Sequence, residues 1–308
     1  MEKLLMQVEK PARYIGHEWN MIEKTEYDYR FALCFPDVYE IGMSHMGSRI
    51  LYHTINLLDG VYCERCYAPW TDMEEALRKS GQPLFTMETK SPLKAFDIVG
   101  FSLLYEMCYT NILTMLDLSG IPFKASERSE SDPILLAGGP CMVNPEPVAE
   151  LFDVICIGDG EDLDNEVIEI ARQAKREGLS KRETLKRLAS IEGVYIPAFY
   201  DVTTENGRFV EIHPTEDCAP KRVRRRILKD LEHAPYIGKQ VVPNMNIVHD
   251  RVAIEVMRGC TRGCRFCQAG YIYRPVRERT EETLLKQAHE LVACTGYDEV
   301  SLLSLSTG

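Results

Sequence analysis

Three cysteines, Cys260, Cys264 and Cys267, stand within eight residues of the segment RGCTRGCRFCQAGYIYRPVRERT, which begins at Arg258. Thiolates are soft ligands that select iron–sulfur clusters, zinc or copper. Gly259 and Gly263 lie on either side of Cys260, where they let the backbone wrap closely around something bulky. A [4Fe–4S] cube ordinarily takes four protein thiolates, so three leave one iron open to a small molecule. Zinc stays open as the alternative, with Cys294 or His289 as a fourth ligand. Against it, structural zinc sites generally use paired C-x2-C knuckles. Cys294 also falls in an expected helix, where a thiol packs as a small hydrophobe.

The elements around this loop follow a pattern. RVAIEVMRGC reads as a strand, EETLLKQAHELVACTG as a helix and DEVSLLSLSTG as a second strand. A closed βα barrel needs roughly 200 residues or more, so the chain is expected to be the front part of a longer protein. Upstream, YRFALCFPD, VYCERCYAP, PLFTMET, DIVGFSLLY, ILLAGGP and DVICIGDG read as strands. Between them, MSHMGSRILYHTINLLDG, TDMEEALRKSG (capped by Thr71 or Asp72) and TNILTMLDLSG read as helices, and 162–178 as a charged one; PEPVAELF completes the alternation. Such alternation predicts an α/β class, a Rossmann-like parallel sheet covered on both faces. Ligands of such sheets sit beyond the carboxyl ends of the strands, so FPDVYEIGMSH, SLLYE, AGGPCMVN and GDGED should converge on one edge. GVYIPAFYDVT and RFVEIHPT read as a hairpin turning at Asn206-Gly207, followed by a charged connector. The expected divisions are a lead segment (1–28), a sheet domain (29–179), a hairpin and connector (180–249) and the first units of an incomplete barrel (250–308).

Composition narrows the setting. The 308 residues are 45% hydrophobic and 27% charged, with a net charge of -11, which argues against general affinity for nucleic acid or anionic membrane. No apolar run is long enough for a signal peptide or a spanning helix. Eleven cysteines without a secretory signal suggest a reducing compartment, with the cytoplasm as the default. Lys221, Arg222, Arg224, Arg225, Arg226 and Lys229 make one basic run. It reads as a solvated connector or a clamp onto acidic surface, with RNA phosphate as the alternative ligand.

CTRGCRFC, with its aromatic at Phe266, resembles the cluster motif of radical S-adenosylmethionine enzymes. The resemblance implies a [4Fe–4S] cluster on Cys260, Cys264 and Cys267, and S-adenosylmethionine chelated at the open iron. It further implies one-electron cleavage to a 5′-deoxyadenosyl radical, hydrogen abstraction from an unknown substrate, and a low-potential donor of flavodoxin or ferredoxin type. Strand, cluster loop and helix would then be the first unit of that family's partial barrel, with Phe266 packed on the cofactor. Ser304, Leu305, Ser306 and Thr307 fall where the family has a turn meeting the methionyl amine, though its usual Gly-Gly-Glu is not there.

Loops of the front domain resemble the cobalamin-binding domain of one subgroup. The resemblance rests on Ser102-Leu103-Leu104, on Gly138-Gly139-Pro140 and on IGDGED at 157–162. It implies cobalamin contacts at Ser102, Leu104, Gly138, Gly139 and Cys141, and cobalamin-dependent methyl transfer if the corrin is present. The Asp-x-His-x-x-Gly element that supplies a cobalt ligand is missing. Met43 and Ser48 occupy its Asp and Gly positions around His45, which is therefore read as structural. The same reading allows a non-catalytic iron–sulfur or cobalamin sensing module, or a zinc-stabilised interaction protein.

Other features carry less. Cys63 and Cys66 form a C-x2-C but lie in an expected strand, whose pleat points them to opposite faces. With Cys34, Cys108, Cys141 and Cys156 they could supply a second cluster, yet their spacing singles out no set. Arg274, Arg277 and Arg279 follow the cluster loop and are read either as neutralising a bound anion or as ordinary ion pairs.

Overall fold

The structure, a computed structural model, describes residues 2–306. Six strands form its main sheet: β1 (Tyr29–Phe35), β2 (Val61–Tyr67), β3 (Ile98–Ser102), β4 (Ile134–Gly138), β5 (Val154–Cys156) and β6 (Val194–Tyr195). They lie in the order β2-β1-β3-β4-β5-β6, with β1 to β5 parallel and β6 antiparallel to β5. Because strand side chains alternate, β1 feeds two cores at once. Tyr29, Phe31 and Leu33 join one core and Ala32 and Cys34 the other.

Each core is closed by helices with a matching apolar stripe. On one face pack α1 (Met46–Asn56), through Tyr52 and Ile55, and residues of two later helices. These are α4 (Gly160–Arg176), through Leu163, Val167 and Ile168, and α5 (Lys181–Leu188), through Leu185 and Leu188. The other face is covered by α2 (Thr71–Ser80), through Met73 and Leu77, and α3 (Tyr109–Ser119), through Ile112, Met115 and Leu116. The chain leaves β1 toward β2 on one side and returns to β3 on the other. This reversal splays the loops after β1 and β3 and opens a crevice at the carboxyl ends of the strands.

A hairpin of β7 (Tyr200–Glu205) and β8 (Arg208–Pro214) follows, turned by Asn206 and Gly207 at φ of 52° and 73°. After an irregular connector come β9 (Val252–Glu255), β10 (Met257–Arg258), β11 (Arg277–Glu278), α6 (Glu281–Thr295) and β12 (Val300–Leu303). β9 and β12 are parallel, so β9, α6 and β12 make one right-sized βαβ unit. β10 and β11 pair antiparallel and pinch the base of the cluster loop. Val252, Ile254 and Leu291 of this unit pack with Ile237 and with Ile50 of α1, seating it against the front domain.

Four segments differ from what their sequences predict. PLFTMET forms no strand: Phe85 makes a single bridge to Pro92, and Thr86 turns inward to donate to the buried Glu64 carboxylate at 2.7 Å. The N-cap of α2 is Trp70, neither Thr71 nor Asp72, because the Asp72 carboxylate is taken by the backbone N–H groups of Glu9 and Met73. PEPVAELF is a run of 3-10 turns (Glu146–Leu151). Finally, Val194 and Tyr195 belong to the main sheet and not to the hairpin.

Candidate functional site at the junction of sheet and cluster loop

The loops at the carboxyl edge enclose a cleft with about 1270 Å³ of empty space, open to solvent. Ser102 and Leu104 line it from the end of β3, Gly138, Gly139 and Pro140 from β4, and Gly158 to Glu161 from β5. His45, Met46 and Gly47 come from the start of α1. The opposite wall belongs to the second unit, through Glu255, Met257, Arg258, Tyr273 and Ser304. Residues remote in sequence and singled out for two different cofactors thus share one cavity.

Glycine chemistry explains the β4 wall. Gly139 has φ of 106°, and a Cβ there would stand 2.5 Å from the Leu103 carbonyl oxygen, so its first duty is the fold's own packing. Gly138 differs: an added Cβ would meet nothing nearer than the Cys156 Cβ at 3.9 Å, so this position keeps the cleft wall bare. A flat, amide-rimmed corrin fits a bare wall flanked by the Ser102 hydroxyl. Cys141 is buried and is not among the residues lining the cleft.

The two units are locked together by buried charge. The Arg258 guanidinium donates to both oxygens of Glu255 at 2.8 and 3.0 Å, to Asp159 at 3.2 Å and to Glu161 at 2.5 Å. Arg277 donates to the other Asp159 oxygen at 2.5 Å and to the carbonyls of Leu228, Tyr273 and Pro275. Burial alone would raise the Asp159 carboxyl, but Arg258 and Arg277 outweigh it and hold it below the usual carboxylate range. Burial likewise opposes the Arg258 charge, and its bonds to Glu255 and Glu161 raise it well above an ordinary arginine. Arg277 is therefore an ion-pair residue between units. Arg274 instead stacks over Tyr271, and the mostly buried Arg279 reaches the Glu232 carbonyl. Reading by sequence missed Arg258 altogether; the one available signal was a charge at the end of an apolar strand beside the first cysteine.

The cluster loop runs out from β10. Gly259 has φ of 95°, and a Cβ would stand 2.5 Å from the Pro275 carbonyl oxygen and 2.7 Å from that of Tyr273, so only glycine lets the outgoing and returning strands close. Beyond it Cys260 and Cys267 are half-buried, Cys264 is exposed and none is in a disulfide. Cys267 N–H donates to the Cys264 carbonyl at 3.1 Å. Three free thiols on an accessible glycine-bracketed loop are the donor set an iron–sulfur cluster needs. Among the described residues, however, no group of three or more His, Cys, Asp or Glu side chains is arranged to hold a metal ion. Phe266 is 93% exposed. Ser306 accepts a hydrogen bond from Arg262 of the cluster loop at 3.1 Å, whereas Thr307 lies outside the described residues.

Two further groups define the cleft's chemistry. His45 caps α1: its Nδ1 accepts from the Ser48 N–H at 3.1 Å, which leaves Nε2 as the protonated nitrogen. Burial, helped by the Arg49 charge, lowers the imidazole to about 4, so it is neutral at physiological pH. With its lone pair engaged in the cap, His45 has no free nitrogen for a metal, in keeping with the structural reading. Asp164, on α4, is buried and has no cationic partner among the described residues; burial, with the Cys156 thiol opposing and Glu161 adding, raises its carboxyl to about 7.

A doubly wound α/β domain is thus joined, across a ligand-sized cleft, to a strand–loop–helix unit bearing three thiols. Residues 47–197 match the family described as radical SAM proteins, N-terminal. That match covers just under half of the chain and makes its front domain similar to the N-terminal domain of radical SAM proteins. The chain is 27% identical, over 226 residues, to an uncharacterized protein of Methanocaldococcus jannaschii, covering 73% of this chain and 42% of that one. Among solved structures it resembles the radical S-adenosylmethionine methyltransferase TsrM from Kitasatospora setae with cobalamin and a [4Fe–4S] cluster bound. That match has a TM-score of 0.52 at 14% identity, over 91% of this chain and 48% of the other. The same enzyme with tryptophan substrate and aza-SAM gives 0.49 at 15% identity, over 89% and 47%. At such identity the likeness is one of fold. The chain spans less than half the length of these relatives. Among the described residues no helix is long and apolar enough to cross a membrane.

Proposed function

We propose that the protein is a radical S-adenosylmethionine enzyme whose cluster is held by Cys260, Cys264 and Cys267 and whose cleft holds cobalamin, for methyl transfer to a substrate not yet known. The carrying observation is the shared cleft: Ser102, Leu104, Gly138 and Gly139 face Glu255, Met257, Arg258 and Ser304 across one cavity. Methyl transfer between two cofactors requires such adjacency, and a separate storage site for either would not.

When bound, the cluster would supply the electron that splits S-adenosylmethionine, and the corrin would carry the methyl group. The chain's own residues do the positioning. Arg258 and Arg277 fix both strands at the base of the cluster loop to the Asp159–Glu161 turn, so the thiols are referenced to the cleft. Cys264, exposed, and Cys260 and Cys267, half-buried, would hold the cluster. Arg262 ties that loop to Ser306, supporting a role for the turn after β12 in holding the methionyl end. His45, committed to its cap, leaves the corrin without an imidazole ligand from this loop.

The residue divisions given above, the cytoplasm as location and a flavodoxin- or ferredoxin-type donor belong to the same proposal. The basic run offers weak support for RNA as substrate, since Arg226 already pairs with Glu166 and Arg225 with the Arg274 carbonyl. The test is anaerobic reconstitution with iron and sulfide, then reduction in the presence of S-adenosylmethionine. Formation of 5′-deoxyadenosine, lost when the three cysteines become alanine, is the expected result. A filled cluster that yields none under strong reduction would instead favour a sensing module.

A further inference from the structure

Resting on the corrinoid reading of the cleft, we propose that Asp164 is its polar anchor, donating a hydrogen bond from a neutral carboxylic acid to an uncharged carbonyl of the bound ligand.

The observation is a buried carboxyl in a cavity wall with no cation among the described residues to balance it. Asp164 is only 6% exposed, yet it lines the cleft beside Gly138 and Cys156. The arginine of the opposite wall is already spent: Arg258 serves Glu255, Asp159 and Glu161. A buried carboxylate left unpaired is so costly that the group takes up a proton instead. Of the groups facing it, the Cys156 thiol from β5 offsets the burial only in part, and the Glu161 carboxylate from its own helix adds to it. His45, on the wall formed by α1, is neutral, and Asp159 and Glu255 add only negative charge.

This charge pattern selects a ligand class. With Asp159, Glu161 and Glu255 set against Arg258, the cleft repels a polyanion, whereas a protonated Asp164 offers a donor to a neutral acceptor. Amides are such acceptors, and the rim of a cobalamin corrin carries uncharged amide side chains. The same ring with free carboxylates in their place is the wrong ligand.

Equilibrium dialysis of methylcobalamin in the dark, read by its visible absorbance, tests this at about pH 6 and about pH 8.5. Its carbon axial ligand does not titrate in that window. Affinity of the unaltered protein should weaken roughly tenfold or more as Asp164 loses its proton. Asp164→Asn donates at every pH and should bind equally at both values. Asp164→Leu should bind about tenfold more weakly than the unaltered protein at the lower pH, for want of one hydrogen bond. Cobyrinic acid, the polycarboxylate corrin, should bind worse than methylcobalamin throughout. Circular dichroism of both variants reports whether each is folded. Equal methylcobalamin binding at the two pH values, or by Asp164→Leu, would overturn the role of Asp164 while leaving the corrinoid reading intact. No methylcobalamin binding by the unaltered protein at either pH would overturn both.

Discussion

The chain contains the same dipeptide spacing twice, in Cys63–Cys66 and in Cys264–Cys267, and the two pairs have opposite fates. Cys63 and Cys66 lie in β2, where the pleat sends them to different cores, and both are 0% exposed. Burial pushes the Cys63 thiol well above its ordinary pKa, which removes the thiolate that a metal or an oxidant requires. Cys264 and Cys267 sit in a turn closed by a backbone hydrogen bond, and the strand alternation does not separate them. Spacing alone is therefore a weak signal; backbone conformation decides whether two thiols can act on one object. Cys34 and Cys156 are likewise sealed in strands, with thiols raised by burial as that of Cys63 is, so the front sheet offers no second cluster site from them.

The sharpest way to break the comparison is to exchange cysteines for alanine. Loss of Cys260, Cys264 or Cys267 should each reduce reconstituted iron and sulfide to background, while Cys63→Ala and Cys66→Ala should retain them and cost only packing stability. Iron and sulfide analysis reads the difference directly. Next in size is Arg258→Ala, which strips a buried cation from three carboxylates. It should destabilise the fold by about 3 kcal/mol in denaturant titration and impair cluster retention with all three thiols present.

Glycines sharpen the contrast at smaller scale. Gly139→Ala meets the Leu103 backbone and should cost about 2 kcal/mol. Gly138→Ala should leave stability nearly unchanged and weaken corrin binding, because its Cβ enters only the cleft. The smallest effect expected is that of Ser306→Ala. Loss of one exposed hydrogen bond to Arg262 should change stability by less than about 0.5 kcal/mol, so any marked loss of S-adenosylmethionine affinity would mark a binding role.

Much of this was legible in the residues. Strand–helix alternation gave the parallel sheet, because strands buried on both faces are written as short apolar runs. The rule that ligands gather at carboxyl ends correctly brought Ser102, Gly138 and the GDGED turn to one edge. What could not be read was tertiary. Arg258 and Asp159 are 99 residues apart, and neither carries a local mark of the pairing. Asp164 looks like one more acid on a charged helix until the fold buries it without a cation. PLFTMET has strand composition, but Thr86 is drawn inward by the Glu64 carboxylate, a demand set by a different strand.

The central claim is that the missing fourth cysteine leaves one iron for S-adenosylmethionine. Electron paramagnetic resonance of the reduced, reconstituted protein tests it without requiring a known substrate. The expected result is a [4Fe–4S] signal that shifts when S-adenosylmethionine is added. A colourless protein with stoichiometric zinc, or a cluster signal indifferent to S-adenosylmethionine, would contradict it.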